Sequence, residues 1–382
     1  MQEFWTIWGS RMICLRDGKD RAAPAIMSDI YTLSNGDHSW QRLLADSIVT
    51  PEALSRIMPV DMETVRRVMQ KYPMRINPYF LSLISEKNGP LWRQCIPDME
   101  ELAQDIALEP DPLWEDPQSP VAGLIHRYPD RVLFMVSSQC AMYCRHCMRK
   151  RRVGPVGLMT EKDIDRGVAY IRSQPDVREV ILSGGDPLLL PDDRIERLLS
   201  QLHDIPQVDM IRIHTRTPCT LPQRITGDLV ALFRRFAPLY INIQFNHPDE
   251  ITQVSARACE SLADAGIPLG SQTVLLKGVN DDPEVMMRLM RELLKIRVRP
   301  YYLHHADPIE GTRHFRTSIE TGKQIMIHLR GRMSGMGVPH YMIDLPQGGG
   351  KIPILPDYGV SGKPSKLTFR NFAGEVYDYP CE

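Results

Sequence analysis

The feature that most constrains the fold is an alternation of short apolar runs with helical patterns after residue 120. Each run is too short for a buried helix and is followed by polar and turn residues. Strands that alternate with helices predict a parallel α/β sheet, and six such units predict a partial (β/α)6 barrel with its functional groups at the carboxyl ends of the strands. The six runs are residues 132–136, 180–182, 210–213, 240–245, 273–276 and 298–303.

Helix signals stand between these runs. Thr160 and Asp163 have the spacing of a capping box before an apolar pattern at 164–171. Gly266 is placed to end a helical run that follows residue 250, and Pro283 suits the first turn of a helix that starts after Asp282. The segments between the strands are therefore predicted to be helices.

The 382-residue chain is predicted to contain four parts. Residues 1–38 show no clear period and are predicted to be a disordered extension, with Met27 as an alternative start. Residues 39–115 are an N-terminal helical region whose pattern runs to 104, and the four prolines of 110–120 indicate a linker. Residues 116–345 are the barrel, and residues 346–382 are a C-terminal cofactor-binding tail.

Composition excludes several classes of protein. The 46 basic and 47 acidic side chains nearly cancel, which excludes a general nucleic-acid binder. No apolar run is long enough for a membrane span, and charges among the first 26 residues argue against a signal peptide. A cytoplasmic location is therefore predicted. In such a chain the eight cysteines are expected to be reduced thiols that serve as ligands.

Three of these cysteines, Cys140, Cys144 and Cys147, lie within eight residues directly after the first predicted strand. Thiolates at this spacing can each bind a different iron of an iron–sulfur cluster, and three ligands leave the fourth iron open to a small molecule. A structural zinc site is an alternative, although it would normally show a second pair of ligands. Unligated buried thiols are the other alternative.

Two glycine-containing turns are further candidates. Ser183, Gly184, Gly185 and Asp186 follow the second predicted strand, where glycine allows close approach of a ligand and the carboxylate can bind an ammonium group. Lys351 follows three glycines, so its amine is free to form a Schiff base with pyridoxal phosphate. Taken alone, each motif also fits an ordinary surface turn.

The CxxxCxxC triplet resembles the signature of the radical S-adenosylmethionine superfamily. From residue 126 to 358 the chain resembles the lysine 2,3-aminomutase family within it. Nine blocks in one order carry this resemblance: HRYPDRVLF, CAMYCRHCMRKRR, LSGGDPLLL, RTPCTLPQRIT, FNHPDEI, VLLKGVND, RVRPYYL, HFRT and LPQGGGKIP. The resemblance implies a barrel of the radical S-adenosylmethionine type, a [4Fe–4S] cluster held by the three cysteines, S-adenosylmethionine and pyridoxal phosphate.

The resemblance also assigns individual residues. It implies that Lys351 holds pyridoxal phosphate and that Arg149 binds the substrate carboxylate, although Arg149 also fits a solvated basic run at 149–152. His146 stands where many superfamily members have an aromatic residue beside the cofactor. The remaining cofactor contacts are expected from Arg127 to the phosphate, from Asn242 and Gln272, and from Arg216 as a cation at a strand end.

Two acids indicate the substrate. Asp307 and Asp344 match the pair that binds the distal ammonium group of lysine in the family. Two carboxylates around one ammonium group would reject glutamate, so the resemblance implies 2,3-amino migration between L-lysine and β-lysine. Alternatively each Asp caps a turn. The open alternatives for the function are an aminomutase acting on another amino acid or on protein-bound lysine, and a non-catalytic iron–sulfur sensor.

Some positions depart from the family pattern. Gln244 stands where lysine 2,3-aminomutases tend to have His, and Asp282 occupies the upstream position of the family's structural zinc site. With Cys381 and Glu382 at the end of the sequence, no zinc is expected at that site. A reducing electron donor such as a flavodoxin or ferredoxin and a homo-oligomer are the partners that the resemblance implies.

Overall fold

A computed structural model describes residues 5–8, 11–14, 39–103, 108–154, 159–363 and 366–380. The extension predicted for residues 1–38, including the alternative start at Met27, lies outside the described residues except for two short strands. These are β1 (Trp5–Trp8) and β2 (Arg11–Cys14), which pair antiparallel. In the part of the chain that the structure describes, none of the helices is both long and apolar enough to span a membrane.

The N-terminal helical region is a series of short helices. They are α1 (Trp40–Ala45), α2 (Pro51–Ser55), α3 (Met62–Met69), α4 (Pro78–Ser82) and α5 (Pro90–Cys95). Three of them start on a proline, which suits a first helical turn and disfavours helix in the residue before it, so one long helix cannot form. Residue 104, the predicted end of the pattern, lies outside the described residues. Buried side chains such as Leu54 and Phe80 join the same core as the barrel.

Nine strands form a curved sheet around that core. In chain order they are β3 (Leu124–Tyr128), β4 (Arg131–Ser137), β5 (Glu179–Gly184), β6 (Met210–Thr215), β7 (Leu239–Ile243), β8 (Leu269–Leu275), β9 (Arg299–His305), β10 (His340–Leu345) and β11 (Gly350–Pro353). Neighbouring strands from β4 to β10 pair in parallel, whereas the edge strands β3 and β11 pair antiparallel. The predicted parallel α/β barrel is confirmed.

Helices cover the parallel strands. They are α6 (Glu161–Ser173), α7 (Asp192–His203), α8 (Thr217–Thr220), α9 (Gly227–Arg234), α10 (Gln253–Asp264), α11 (Pro283–Lys295) and α12 (Ile319–Leu329). The predicted end signals are confirmed: Thr160 and Asp163 form a capping box, and Gly266 follows α10 with a φ of +80°. Asp282 caps α11 through the backbone N–H groups of Glu284 and Val285.

The sheet has one parallel strand more than the six predicted. The additional strand, β10, contains only three consecutive apolar residues between His340 and Asp344, so the sequence pattern is weak. After β11, three further strands form a separate antiparallel sheet: β12 (Gly359–Lys363), β13 (Lys366–Arg370) and β14 (Val376–Pro380). The division at residues 38, 115 and 345 stays a prediction.

Candidate functional site

A cavity of about 680 Å³ lies inside the barrel. Residues at or just beyond the carboxyl ends of the parallel strands contribute to its wall, as expected for a parallel barrel. Every site residue predicted from the sequence lines it. These residues are Arg127, Cys140, Cys144, His146, Cys147, Arg149, Ser183, Gly184, Gly185, Asp186, Arg216, Asn242, Gln272, Asp307, Asp344 and Lys351.

The loop that carries Cys140, Cys144 and Cys147, here called the cysteine loop, follows β4. It presents three free thiols to the cavity. The backbone N–H of Arg149 donates to Cys147 Sγ at 3.3 Å, and Arg216 Nη1 donates to Cys144 Sγ at 2.8 Å. Burial raises the pKa of Cys147 to about 11, so this thiol keeps its proton at neutral pH unless a cation replaces it.

No three His, Cys, Asp or Glu side chains of the described residues are arranged to hold one metal ion. The cysteines of an iron–sulfur cluster each bind a different iron, so they do not need that arrangement.

The N-terminal region holds the cysteine loop in position. Asn77, fully buried at the start of α4, donates its amide to the carbonyl oxygens of Ala141 at 3.1 Å and Thr220 at 2.8 Å. The backbone N–H of Tyr143 donates to the carbonyl of Arg75 at 2.9 Å. The loop is therefore anchored to the segment before α4 rather than left as a free surface turn.

The glycine turn after β5 packs directly behind the cysteine loop. Gly184 has a φ of +123°, and a Cβ on it would lie 2.3 Å from the carbonyl oxygen of Ser137. The carboxylate of Asp186 accepts from the Thr215 hydroxyl at 2.7 Å and from the Arg216 N–H at 2.8 Å. Asp186 therefore links β5 to β6 beneath the loop, and its contact with a ligand ammonium stays a prediction.

The glycine run before Lys351 is an ordered hairpin turn. Gly348 and Gly350 have φ values of +79° and +82°, a region that residues with a Cβ rarely adopt. The turn pairs β10 with β11 so that Lys351 lies opposite Asp344, and the Lys351 amine contacts an oxygen of that carboxylate. The Lys351 backbone N–H donates to the Tyr128 hydroxyl at 2.8 Å.

Asp307, which is half-buried, and Asp344, which is buried, bring two carboxyl groups into the same cavity. Burial and the neighbouring charge of Asp344 raise the pKa of Asp307 to about 7. Asp344 Oδ1 is buried without a hydrogen-bond partner among the described residues. His304, 3.9 Å from Asp344, stays neutral because burial lowers its pKa to about 3. The electrostatics of this wall favour a cationic ligand.

Arg149 is paired rather than solvated. Its Nε and Nη2 donate to both carboxylate oxygens of Glu115 at 2.7 to 3.1 Å, and both side chains are buried. The side chain of the neighbouring Lys150 is also buried, and its Nζ forms an ion pair with Glu101 Oε2 at 2.6 Å. The alternative of a solvated basic run at 149–152 is therefore wrong. The sequence does not reveal Glu115 as a site residue, because it lies in the proline-rich segment 110–120, whose composition indicates a linker.

Other predicted residues have partners of their own. Arg127 donates to Gln118 Oε1 at 2.8 Å and lies 3.7 Å from Asp344. The Asn242 amide is 3.4 Å from His214 Nε2. Gln272 lines the cavity.

His146 is buried beside two amides. Its Nε2 lies 3.3 Å from Gln244 Nε2 and 3.2 Å from Asn246 Nδ2, while its Nδ1 has no hydrogen-bond partner among the described residues. Burial lowers the pKa of His146 well below the usual value, so the ring is neutral. Gln244, which departs from the family pattern, therefore contacts the residue between the second and third cysteines.

Models of two protein families match the chain. A radical SAM superfamily model matches residues 134–290, and a lysine-2,3-aminomutase model matches residues 326–382. Among solved structures, Streptococcus suis SuiB bound to S-adenosylmethionine matches with a TM-score of 0.43 and 13% identity, over 57% of this chain and 51% of that chain.

Curated relatives match most of the chain. An L-lysine 2,3-aminomutase of Acetoanaerobium sticklandii is 46% identical over 90% of this chain and 85% of its own length. The L-lysine 2,3-aminomutase of Clostridium subterminale is 45% identical over 93% of this chain and 86% of its own. A glutamate 2,3-aminomutase of Clostridioides difficile is 43% identical over 89% of this chain and 81% of its own. Relatives with two different substrates thus have nearly the same identity to the chain.

Proposed function

Because the chain belongs to the lysine 2,3-aminomutase family of radical S-adenosylmethionine enzymes, we propose that it interconverts L-lysine and β-lysine by 2,3-migration of the amino group. The observation that carries the choice of lysine is a pair of carboxyl groups in one cavity, those of half-buried Asp307 and buried Asp344. Overall identity cannot make this choice, since the glutamate 2,3-aminomutase matches nearly as well.

The cavity fits the cofactors of this family. Three free thiols stand on one wall, and the close backbone packing at Gly184 leaves no room there for a side chain. We assign the cluster to Cys140, Cys144 and Cys147, and pyridoxal phosphate to Lys351. When bound, the cluster and S-adenosylmethionine supply a radical that abstracts hydrogen, and pyridoxal phosphate supplies a conjugated ring that stabilises an unpaired electron.

Further residues complete these proposed sites. Ser183, Gly184, Gly185, Asp186 and His146 would contact S-adenosylmethionine. Arg127, Asn242 and Gln272 would contact pyridoxal phosphate, since each offers hydrogen-bond donors to the same cavity. These residues would hold the ligands and exclude water from them.

Arg149 and the two aspartates position the substrate in this proposal. Glu115 occupies the Nε edge of Arg149, which leaves Nη1 for a substrate carboxylate. Asp307 and Asp344 receive the ε-ammonium group at the other end. A glutamate side chain would place a third carboxylate beside two others, and in a buried site that repulsion is strongly unfavourable.

The test of this proposal is a product analysis. The purified chain is loaded with iron, sulfide, S-adenosylmethionine and pyridoxal phosphate without oxygen, reduced, and incubated with L-lysine, L-glutamate, L-ornithine or a lysine-containing peptide. Chromatography with mass spectrometry is expected to detect a β-amino acid product from L-lysine only, namely β-lysine. A preference for glutamate or for the peptide would contradict the lysine assignment. If a full cluster forms but no 5′-deoxyadenosine appears after reduction, the result would support the sensor alternative.

Replacement of Lys351 tests the assignment of pyridoxal phosphate. The Lys351→Ala variant is expected to lose the visible absorbance of the bound cofactor, because only this amine is proposed to attach it. The iron content is expected to stay at the wild-type value, since Lys351 lies on β11 and the cysteines follow β4. Retained absorbance would show that another lysine holds the cofactor.

The partners and the location are also proposals. A reducing donor such as a flavodoxin or ferredoxin would supply one electron to the cluster. A homo-oligomer and a cytoplasmic location are proposed from the family resemblance. Size-exclusion chromatography with light scattering tests the homo-oligomer, and a monomer would contradict it.

A further inference from the structure

Arg216 lies beside a proposed cluster ligand. It directly follows β6, and its side chain is buried. One terminal nitrogen, Nη1, donates to Cys144 Sγ at 2.8 Å. An arginine side chain remains charged in proteins, so a fixed positive charge stands at hydrogen-bond distance from one of the three thiols.

A buried carboxylate fixes the other side of this guanidinium group. Arg216 Nη2 donates to Glu250 Oε1 at 2.8 Å and to Gln94 Oε1 at 2.5 Å. Gln94 in turn donates to the same Glu250 oxygen at 2.7 Å, and the N–H of Asn246 donates to Glu250 Oε2 at 2.7 Å. The Glu250 side chain is fully buried. The charge of Arg216 is therefore held in one place and is partly balanced.

The same carboxylate network reaches the cysteine loop a second time. The Asn246 side-chain amide donates to Gln94 Oε1 at 3.0 Å and lies 3.2 Å from His146 Nε2. His146 stands between Cys144 and Cys147 in the chain. This arrangement places a buried ion pair beside the proposed cluster ligands.

We infer that Arg216 and Glu250 set the reduction potential of the cluster through Cys144. Reduction adds one electron, from the reducing donor protein, to a cluster that already carries thiolate charge. A cation that donates to a ligand sulfur favours the reduced form, and a nearby carboxylate opposes it. Arg216 is thereby a positioning and tuning residue of the cluster rather than a contact of pyridoxal phosphate. The inference rests on the proposed assignment of Cys144 as a ligand.

Redox titration of the reconstituted protein tests the inference, with the electron paramagnetic resonance signal of the reduced cluster as the readout. Arg216→Met is expected to shift the midpoint potential to a more negative value, and Glu250→Gln to a more positive one. A shift of 59 mV corresponds to a tenfold change in the one-electron equilibrium. Arg216→Lys keeps the charge and is expected to shift the potential less than Arg216→Met.

Arg224→Gln is the matched control. Arg224 is equally buried, but it donates to the Leu188 carbonyl and to Asp192 and does not line the cavity. Its loss is expected to leave the potential unchanged. Where Arg216→Met binds no iron, the potential of Glu250→Gln decides.

Two results would overturn the inference. Equal potentials in wild type and in the Arg216 and Glu250 variants, with full clusters, would show that the ion pair has only a structural role. A wild-type protein that binds no cluster would instead contradict the ligand assignment, and the inference with it. These failures are distinguishable by iron and sulfide content.

Discussion

Asp307 is half-buried and lies near the charge of Asp344, and for these two reasons its pKa is raised to about 7. The group is therefore protonated below pH 7 and ionised above it. Only the ionised carboxylate attracts an ammonium group. For lysine, kcat/KM, which reports the free enzyme, is expected to rise with pH through about 7 and then level.

The Asp307→Asn variant separates this effect from other ionisations. Loss of one charged contact of about 1.5–3 kcal/mol lowers kcat/KM for lysine about 10- to 150-fold. The rise near pH 7 is expected to disappear in this variant. Steady-state rates between pH 5.5 and 9 measure both effects, and an unchanged profile would mean that another group causes the rise.

Glu115 is expected to control how well Arg149 holds a substrate carboxylate. Without the Glu115 carboxylate the guanidinium group loses its fixed orientation, so Glu115→Gln is expected to raise KM for L-lysine about tenfold, a loss of about 1.4 kcal/mol. The Glu115→Asp variant keeps a carboxylate and should therefore show a smaller rise in KM for L-lysine. L-lysinamide has no carboxylate, so its KM should change far less.

The control is Asp116→Asn. Asp116 neighbours Glu115 in the chain, is exposed, and pairs with Arg151 and Arg152 instead. Its substitution is expected to leave both KM values unchanged. An equal loss for lysine and lysinamide in Glu115→Gln would indicate a general distortion of the site instead.

Single residues differ in how far the sequence could identify them. The cysteines, Lys351 and Arg149 stand in sequence blocks that resemble a family, so their positions were predicted. Glu115 and Glu250 act through partners 34 positions away in each case. Nothing in a linear sequence pairs an acid with one arginine among many, because that choice depends on the tertiary packing.

At the scale of elements, the turn between β10 and β11 carries the site lysine. A Cβ at Gly350 would force a φ of +82° on a residue that disfavours it and would lie 3.0 Å from the Tyr128 hydroxyl. Gly350→Ala is expected to lower the free energy of unfolding by about 1–2 kcal/mol. It is also expected to weaken pyridoxal phosphate binding, because the turn places Lys351.

Chemical unfolding and cofactor titration measure these two effects. Gly227→Ala serves as the control, since a Cβ there meets no atom within 4 Å and the φ is not positive. That control is expected to be neutral or slightly stabilising. Equal stability of the two variants would show that the turn tolerates a side chain.

The elements of the barrel were predictable to the extent that each carries its own pattern. Each of the six apolar runs overlaps a strand, because the strands of a covered parallel sheet are rich in apolar residues. Strand β8, however, starts at Leu269, four residues before the predicted start at 273. The sequence pattern misses this part of the strand because its buried and half-buried residues alternate. The pattern of β10 is shorter still, and its neighbours in the sheet reveal it only in three dimensions.

At the scale of the whole molecule, one buried carboxylate joins the N-terminal region to the barrel. Glu101 accepts from Arg145 Nη2 and Lys150 Nζ, both at 2.6 Å, and is nearly fully buried. Burial lowers the pKa of Lys150 to about 8, against the charge of Glu101, which raises it. Neutralising Glu101 would leave a buried cation uncompensated.

Glu101→Gln is therefore expected to destabilise the protein by about 3–5 kcal/mol. Urea unfolding followed by circular dichroism measures this loss. Glu100→Gln is the matched control, because Glu100 is the exposed neighbour of Glu101, and its effect is expected to stay within about 0.5 kcal/mol. Equal midpoints for both variants would mean that the ion pair does not stabilise the contact between region and barrel.

The two edge strands, β3 and β11, meet through the hydrogen bond from Lys351 N–H to the Tyr128 hydroxyl. Elsewhere in the wall, parting two neighbouring strands breaks a whole series of backbone hydrogen bonds. Among the described residues no backbone pairing joins these two strands, so parting them breaks this bond, worth about 1 kcal/mol, and no such series. The sheet therefore separates most easily beside the Lys351 amine. Ligands can enter and leave at this point while the parallel strand pairings of the barrel stay intact.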